Sequence, residues 1–445
     1  MTAEESPSNE RYGWYVVFVL CVCGIVASVD RQIINLLVED IRGDLLVSDT
    51  EISLLQGFAF AVFYALVAVP LGRLADSVNR RRLITIGIVA WTLAAIACGL
   101  AETYWQLFAA RMAVGVGEAV LTPAGFSLLA DLFRARRLAL PISVFTSSSF
   151  FGSGIALMFG SFIIGVLAGL DQVALPLLGE MEIWQAAFIL AALPGIPIAL
   201  WFYLSVKEPP RVATAQARVD ATAYRQGFAQ AVKFCADNGR LFLAVFIGLS
   251  CLAAAQFALG AWIPTYFIRA HGWTPSEIGN AQGLLFMVGG TAGVVTGGWL
   301  TGKLFKRGWH DANLRTASFC GWLTIPWIIA ALLVSDGTTA IVLLAPAMFF
   351  GTMPFGAGAA IIPTVAPPQF RAQLTAVYLL VANLVGQSGG PWLVALLSDQ
   401  FFEGPKAIGQ SLAITVPVLL AAGALLTMLG WRPLAERLRD ALCCL

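Results

Sequence analysis

Gly13–Leu37 reads GWYVVFVLCVCGIVASVDRQIINLL, and within it only Asp30 and Arg31 carry charge. At a rise of about 1.5 Å per residue, a helix of this length crosses a bilayer core of about 30 Å. The same pattern returns at 105–132, where Arg111 and Glu118 interrupt an otherwise apolar run. An ionisable side chain at membrane depth costs several kcal/mol unless it is paired or hydrated. It therefore faces a bundle interior and marks a substrate or proton path. These four residues are the first candidates for function.

Composition agrees with that reading. The 445-residue chain is 58% hydrophobic and 12% charged, with a mean hydropathy of +0.80, against about 25% charged for a soluble domain. The net charge of +1 gives no reason to expect a nucleic-acid partner. Met1–Arg11 is polar and carries acids, and the apolar run after it is too long for a signal peptide, so it reads as a retained first span. The eight cysteines show no metal-ligand spacing, and neither a disulfide, a metal nor a cofactor is expected.

Runs of spanning length predict twelve helices. Six fall at 13–37, 52–75, 83–101, 105–132, 138–169 and 184–206. Six more fall at 241–268, 277–302, 317–335, 339–363, 371–398 and 409–432. The expected organisation is an amino-terminal six-helix bundle (1–206), a linker (207–240), a carboxyl-terminal six-helix bundle (241–432) and a tail (433–445) around a central cavity. Six plus six is the outline of a transporter built from two related halves. In the linker, Tyr224, Phe228, Val232 and Cys235 recur at helical spacing. Either an amphipathic helix on the membrane face or a solvated connector fits them.

Basic residues set the orientation. Arg31 and Arg111 lie inside spans, and Arg42, Arg269 and Lys406 fall on one side, which leaves 22 of the 27 basic residues on the other. The positive-inside rule places both termini in the cytoplasm and the protein in the cell membrane.

After the second span comes Gly72-Arg73-Leu74-Ala75-Asp76-Ser77-Val78-Asn79-Arg80-Arg81-Arg82. A small residue at a span end allows close helix packing. The acid can face a helix amino terminus or an arginine, and the basic run can anchor to the inner leaflet. The segment resembles the signature loop of the major facilitator superfamily, G-x-L-a-D-r-x-G-r-k, with Ser77 and Asn79 departing from it. The resemblance implies a cytoplasmic latch formed by Gly72, Asp76, Arg80, Asp131 and Arg134. The matching loop after span eight, Gly298 to Lys303, has Gly302 where the acid would stand. Arg111-Met112-Ala113-Val114-Gly115-Val116-Gly117-Glu118-Ala119, followed by Ala130-Asp131-Leu132-Phe133, resembles the fourth span of the spinster branch. Asp30-Arg31 and Gly389-Gly390-Pro391-Trp392-Leu393 are similar to its spans one and eleven. That branch implies a transporter of lysolipids and sphingosine phosphates.

The residues themselves support a switch. From the helix rise, Asp30 and Arg31 lie about 10–12 Å from the outer edge, Arg111 about 9 Å and Glu118 about 20 Å, so Asp30 is expected to reach Arg111. Static buried ion pairs stabilise weakly, because desolvation offsets attraction. Asp30, Arg111 and Glu118 are therefore the expected proton-coupling residues, with Arg31 meeting an anionic headgroup. The second half carries no embedded charge and offers Gln256, Tyr266, Tyr378 and Asn383 as a mainly apolar wall for the substrate tail. Gly152, Ala156 and Gly160 form a small-residue stripe in span five, and Pro354, Pro363 and Pro391 are expected to kink spans ten and eleven.

An enzyme is disfavoured. The only histidines, His271 and His310, fall in loops on opposite sides and cannot share a catalytic centre. The expected partners are a small amphipathic substrate, protons and membrane lipid, with the protein a monomer. A proton-coupled multidrug or organic-anion carrier and a uniporter are the rival transport readings.

Overall fold

The structure, a computed structural model, describes residues 7–133, 137–170, 173–175, 179–209, 230, 233–358, 361–366 and 371–443. Among these, twelve helices are long and apolar enough to cross a membrane. The first six are Arg11–Leu36, Asp49–Ala68, Arg80–Gly99, Tyr104–Leu132, Leu140–Leu167 and Ile183–Ser205. The second six are Gly239–His271, Pro275–Lys306, Ala312–Leu333, Gly337–Gly356, Gln373–Phe401 and Ala407–Arg439. Their outward faces carry Phe18, Leu93, Phe162, Trp299 and Val418, all well exposed. Lipid solvates such a surface, and the helix satisfies its own backbone groups, as the hydrocarbon requires.

The chain forms two compact units. The first comprises Met1–Thr214 and Trp273–Met287, and the second Ala215–Gly272 and Val288–Leu445. The opening turns of span eight thus belong with the first unit, a division that differs from a cut at the linker. The packing explains it. A Cβ on Gly154 of span five would sit 2.5 Å from the Gly283 carbonyl oxygen, and one on Gly283 would sit 2.7 Å from that of Gly154. The two backbones touch, which only glycine permits. These glycines lie beside the predicted stripe rather than in it. Gly160 has ordinary van der Waals room at 3.4 Å from Leu36.

Span four is held most closely. A Cβ on Gly115 would lie 2.6 Å from the Phe60 carbonyl of span two, and one on Gly117 would lie 2.7 Å from the Trp91 nitrogen of span three. The G-x-G spacing therefore seats span four on two neighbours at once. Gly72 differs from the expectation of tight packing, since its nearest neighbour, the Pro123 Cβ, is 3.6 Å away.

Two elements were not legible as such in the sequence. Val173–Leu175 and Gly179–Met181 pair as an antiparallel hairpin between spans five and six, with Val173 opposite Met181. The segment read as a tail is helical over most of its length, within Trp431–Cys443. It docks on the second unit through buried Leu434 and through Arg437, whose Nε donates to Asn238 Oδ1 at 3.1 Å. The expected linker helix falls on Tyr224, Phe228 and Val232, which lie outside the described residues.

Candidate transport site

The four embedded charges come together in the first unit. Arg111 is 1% exposed, and its partners are main-chain carbonyls. Its Nη1 donates to the Asp30 carbonyl oxygen at 2.7 Å and its Nε to that of Leu55 at 3.3 Å. Local geometry frees both acceptors. The α-helix of span one ends at Gln32 and passes into a 3-10 turn, Ile33–Leu36, and the last four carbonyls of a helix lack an intrahelical donor. In span two, Leu54–Phe58 widens into a π-helical stretch around Leu55, an irregularity frequent at functional sites. Arg111 therefore ties spans one, two and four together. The Asp30 side chain was its expected partner, and the structure gives Arg111 the Asp30 backbone instead.

Glu118 pairs with Arg31. The Arg31 Nε lies 3.4 Å from Glu118 Oε2, with the arginine side chain 31% exposed and the glutamate side chain 2%. The helix-rise estimate set Glu118 deeper than Arg31, and the long arginine side chain bridges that offset. Glu118 is the last residue of helix Tyr104–Glu118, and the chain resumes at Leu121. Pro123 accounts for the break, because it has no N–H for the Ala119 carbonyl and its ring crowds that group. The carboxylate thus sits at an interruption in a span that also carries the buried Arg111. Phe60 lies beneath both cations, its ring centroid 5.6 Å from the Arg31 guanidinium carbon and 5.9 Å from that of Arg111. Arg31 Nη2 also donates to Ser28 Oγ at 3.3 Å.

Asp30 is 1% exposed, and neither carboxyl oxygen has a hydrogen-bond partner among the described residues, nor has Glu118 Oε1. Nearby runs a chain of amides that sequence reasoning passed over. Gln56 Nε2 donates to Asn35 Oδ1 at 3.0 Å, and Asn35 Nδ2 donates to Gln32 Oε1 at 2.9 Å. Amides inside apolar runs were the available signal. Tyr64 and Thr122 join spans two and four through their hydroxyls at 3.2 Å.

A second cluster gathers at the other end of the first unit. Arg80 was expected to anchor at the leaflet surface, yet it is 2% exposed. Its Nη1 lies 2.6 Å from Asp131 Oδ2 and its Nε 2.8 Å from Glu208 Oε1. The Ser127 carbonyl accepts from Nη1 at 2.9 Å, and Glu208 Oε2 also accepts the Arg81 N–H at 3.0 Å. Glu208, two residues beyond Val206 at the end of span six, was missed because the linker was read as beginning at Lys207. The side chain of Asp76 and the whole of Arg134 lie outside the described residues.

In the second unit the named polar residues find internal partners. Gln256 Nε2 lies 2.8 Å from Met348 Sδ, and Asn383 Nδ2 donates to the Leu379 carbonyl at 2.7 Å. Tyr266 donates to the Leu332 carbonyl at 3.3 Å and meets His271 Nε2 at 3.2 Å. Tyr378 rests on Phe246, ring centroids 6.3 Å apart. Pro391 opens helix Gly390–Phe401, and its carbonyl accepts the Trp262 indole N–H at 2.9 Å.

Twelve membrane helices with charges buried in the first bundle define a polytopic carrier, and comparison with known proteins gives its family. The sequence profile of the Major Facilitator Superfamily matches residues 20–391, and the chain belongs to that family. It is a multi-pass membrane transporter and not an enzyme. It is 27% identical over 419 residues to an "MFS-type efflux pump" of Mycolicibacterium smegmatis, covering 93% of this chain and 92% of that one. It is 25% identical over 409 residues to "Protein spinster" of Drosophila melanogaster, covering 88% of this chain and 63% of that one. Among solved structures, a bacterial homologue of the human lysosomal transporter Spinster superposes with a TM-score of 0.76 at 23% identity, over 99% of this chain and 98% of that one.

Proposed function

We propose that this transporter moves an amphipathic, anionic, lipid-like substrate by alternating access, driven by protons that act on Asp30 and Glu118. The observation that carries the reading is the Arg31–Glu118 pair, in which a half-buried arginine is held by a carboxylate 2% exposed. A proton on Glu118 removes the partner of Arg31, and the freed guanidinium meets an anionic headgroup. Asp30, whose carboxyl oxygens lack hydrogen bonds, is the neighbouring proton acceptor. Arg111 keeps its two carbonyl bonds in either state and holds the three spans in register while the pair opens. Gln256, Tyr266, Tyr378 and Asn383 belong to the bundle that receives the tail, where their internal hydrogen bonds and ring contacts favour a packing role over direct contact with substrate.

The likeness to spinster proteins and the charge pair between spans one and four support a lysolipid or sphingosine-phosphate-like substrate. The distribution of basic residues supports cytoplasmic termini in a cell-membrane protein. On that side Gly72, Asp76, Arg80, Asp131 and Arg134 form the latch, with Glu208 added by its contact to Arg80. The protein acts as a monomer.

The test is flux of a fluorescent lysophospholipid into proteoliposomes, with and without an imposed pH gradient. Asp30→Asn and Glu118→Gln should each lower gradient-driven flux at least tenfold while leaving thermal unfolding in detergent unchanged. Full proton dependence in both variants refutes the coupling. Efflux of an organic anion or drug is the second reading, favoured by the 27% identity to an efflux pump. Gradient-driven flux of a fluorescent organic anion that the lysophospholipid fails to compete with selects it.

A further inference from the structure

A pocket of about 810 Å³ opens in the second unit, lined by none of the residues assigned to transport. Its walls are the turn between spans eight and nine, the first turns of span nine and the terminal helix. Arg307, His310 and Arg315 come from the first two, and Arg432 and Arg439 from the third. The volume lies within the range of small-molecule sites, about 300–1,000 Å³.

Charge gives the pocket its character. Four arginines face two carboxylates, Asp311 and Glu436. Asp311 is taken by Arg315, whose Nε lies 2.8 Å from Asp311 Oδ2. The Arg315 guanidinium carbon is also held between indoles, 5.1 Å from the Trp309 ring centroid and 4.8 Å from that of Trp431. Arg307, Arg432 and Arg439 make no ion pair among the described residues, and only Glu436 remains to balance them. His310 Nδ1 is buried and has no hydrogen-bond partner among the described residues. An open concave site bordered by three exposed arginines that make no ion pair among the described residues, with an orphaned ring nitrogen beside them, is set up for an anion.

Position selects the kind of anion. The pocket lies where spans eight, nine and twelve reach the membrane surface, and Trp309, 45% exposed, stands at its rim. Tryptophan concentrates at headgroup level, and arginine clusters at the ends of membrane helices bind lipid phosphates. We propose that this pocket binds the phosphate of an anionic glycerophospholipid on the membrane face that carries the carboxyl terminus. Arg307, Arg432 and Arg439 donate to the phosphate oxygens, and Trp309 lies against the glycerol and upper chains. Bound there, the lipid fastens the terminal helix to the turn between spans eight and nine.

Full-length protein in nanodiscs of phosphatidylcholine, titrated with phosphatidylglycerol, tests the assignment by thermal unfolding and by lipid adducts in native mass spectrometry. The wild type should gain stability and retain one or more phosphatidylglycerol adducts. Each arginine changed to glutamine should weaken binding about fivefold, since a basic residue near anionic lipid contributes about 1 kcal/mol. The triple variant should bind about a hundredfold more weakly. Glu436→Gln removes the competing carboxylate and should strengthen binding severalfold, so the proposal stays testable even if the triple variant fails to fold. Arg269→Gln with Lys406→Gln, at the opposite ends of the spans, should change nothing. Equal phosphatidylglycerol binding by wild type, Glu436→Gln and the single arginine variants overturns the site. If inorganic phosphate in solution stabilises the wild type as much as the lipid does and displaces it, the lipid assignment is overturned. Transport is not read in any arm, so failure here leaves the proton-coupling proposal to its own test.

Discussion

Gly117→Ala adds one methyl group where span four crosses span three. That Cβ would stand 2.7 Å from the Trp91 nitrogen, 2.9 Å from its Cβ and 3.0 Å from its Cα, about 0.7 Å inside the 3.4 Å at which ordinary contact begins. The Trp91 side chain is fully buried, and the nearest atom belongs to the backbone, so no rotamer change relieves the overlap. Overpacking of this kind costs about 1–3 kcal/mol, while alanine gains about 1 kcal/mol over glycine in a helix interior. The net loss is therefore about 0–2 kcal/mol, which is difficult to read alone. Gly72→Ala supplies the control, because its Cβ would meet Pro123 at an ordinary 3.6 Å. Both variants take the same propensity gain, so their difference isolates the overlap and should be about 1–3 kcal/mol. Function should report the overlap too. Glu118 follows Gly117 directly, and its 3.4 Å contact with Arg31 has little slack. Separating spans three and four by about 0.7 Å disturbs that contact, so proton-driven flux should fall in Gly117→Ala. Denaturant unfolding in one detergent measures the stabilities, and proteoliposome flux measures the rest. Equal stability of the two variants, with wild-type flux in Gly117→Ala, would refute the reasoning.

Three further outcomes follow from the same contacts. Asp131→Asn removes one of the two carboxylates on Arg80 and should cost about 1.5–3 kcal/mol. Adding Glu208→Gln strands a buried guanidinium, raises the loss to about 3–5 kcal/mol and should show coupling in a double-mutant cycle. Tyr266→Phe deletes the bond to the Leu332 carbonyl and should lower stability by about 0.6 kcal/mol, the average for a hydrogen bond between membrane helices, with flux unchanged. Asp336 precedes helix Gly337–Gly358, and its Oδ2 accepts from the Thr339 hydroxyl at 2.6 Å and from the Thr339 N–H at 2.7 Å. These bonds hold its carboxyl below the usual 3.8. Its contribution to the helix start is thus present above about pH 3.8 and lost as pH falls through the lower folded value. Amide exchange at Thr339 should accelerate across that window in the wild type and show no such step in Asp336→Asn.

Sequence alone determined the twelve spans and the positions of the charges embedded in spans one and four. Hydropathy is a local property, and an apolar run of spanning length has no stable alternative in a bilayer. The embedded charges were legible for the same reason, since each breaks a rule that its neighbours obey. Tertiary structure decided the partners. Arg111 takes backbone carbonyls of spans one and two because a helix end and a widened turn expose them, and no spacing rule reports either irregularity. Glu208 reaches Arg80 across 128 residues, and Trp431–Cys443 folds as a docked helix where polarity read as a tail. The reach of Arg111 to Leu55 depends on how closely span four approaches span two at Gly115, a distance set jointly by both helices.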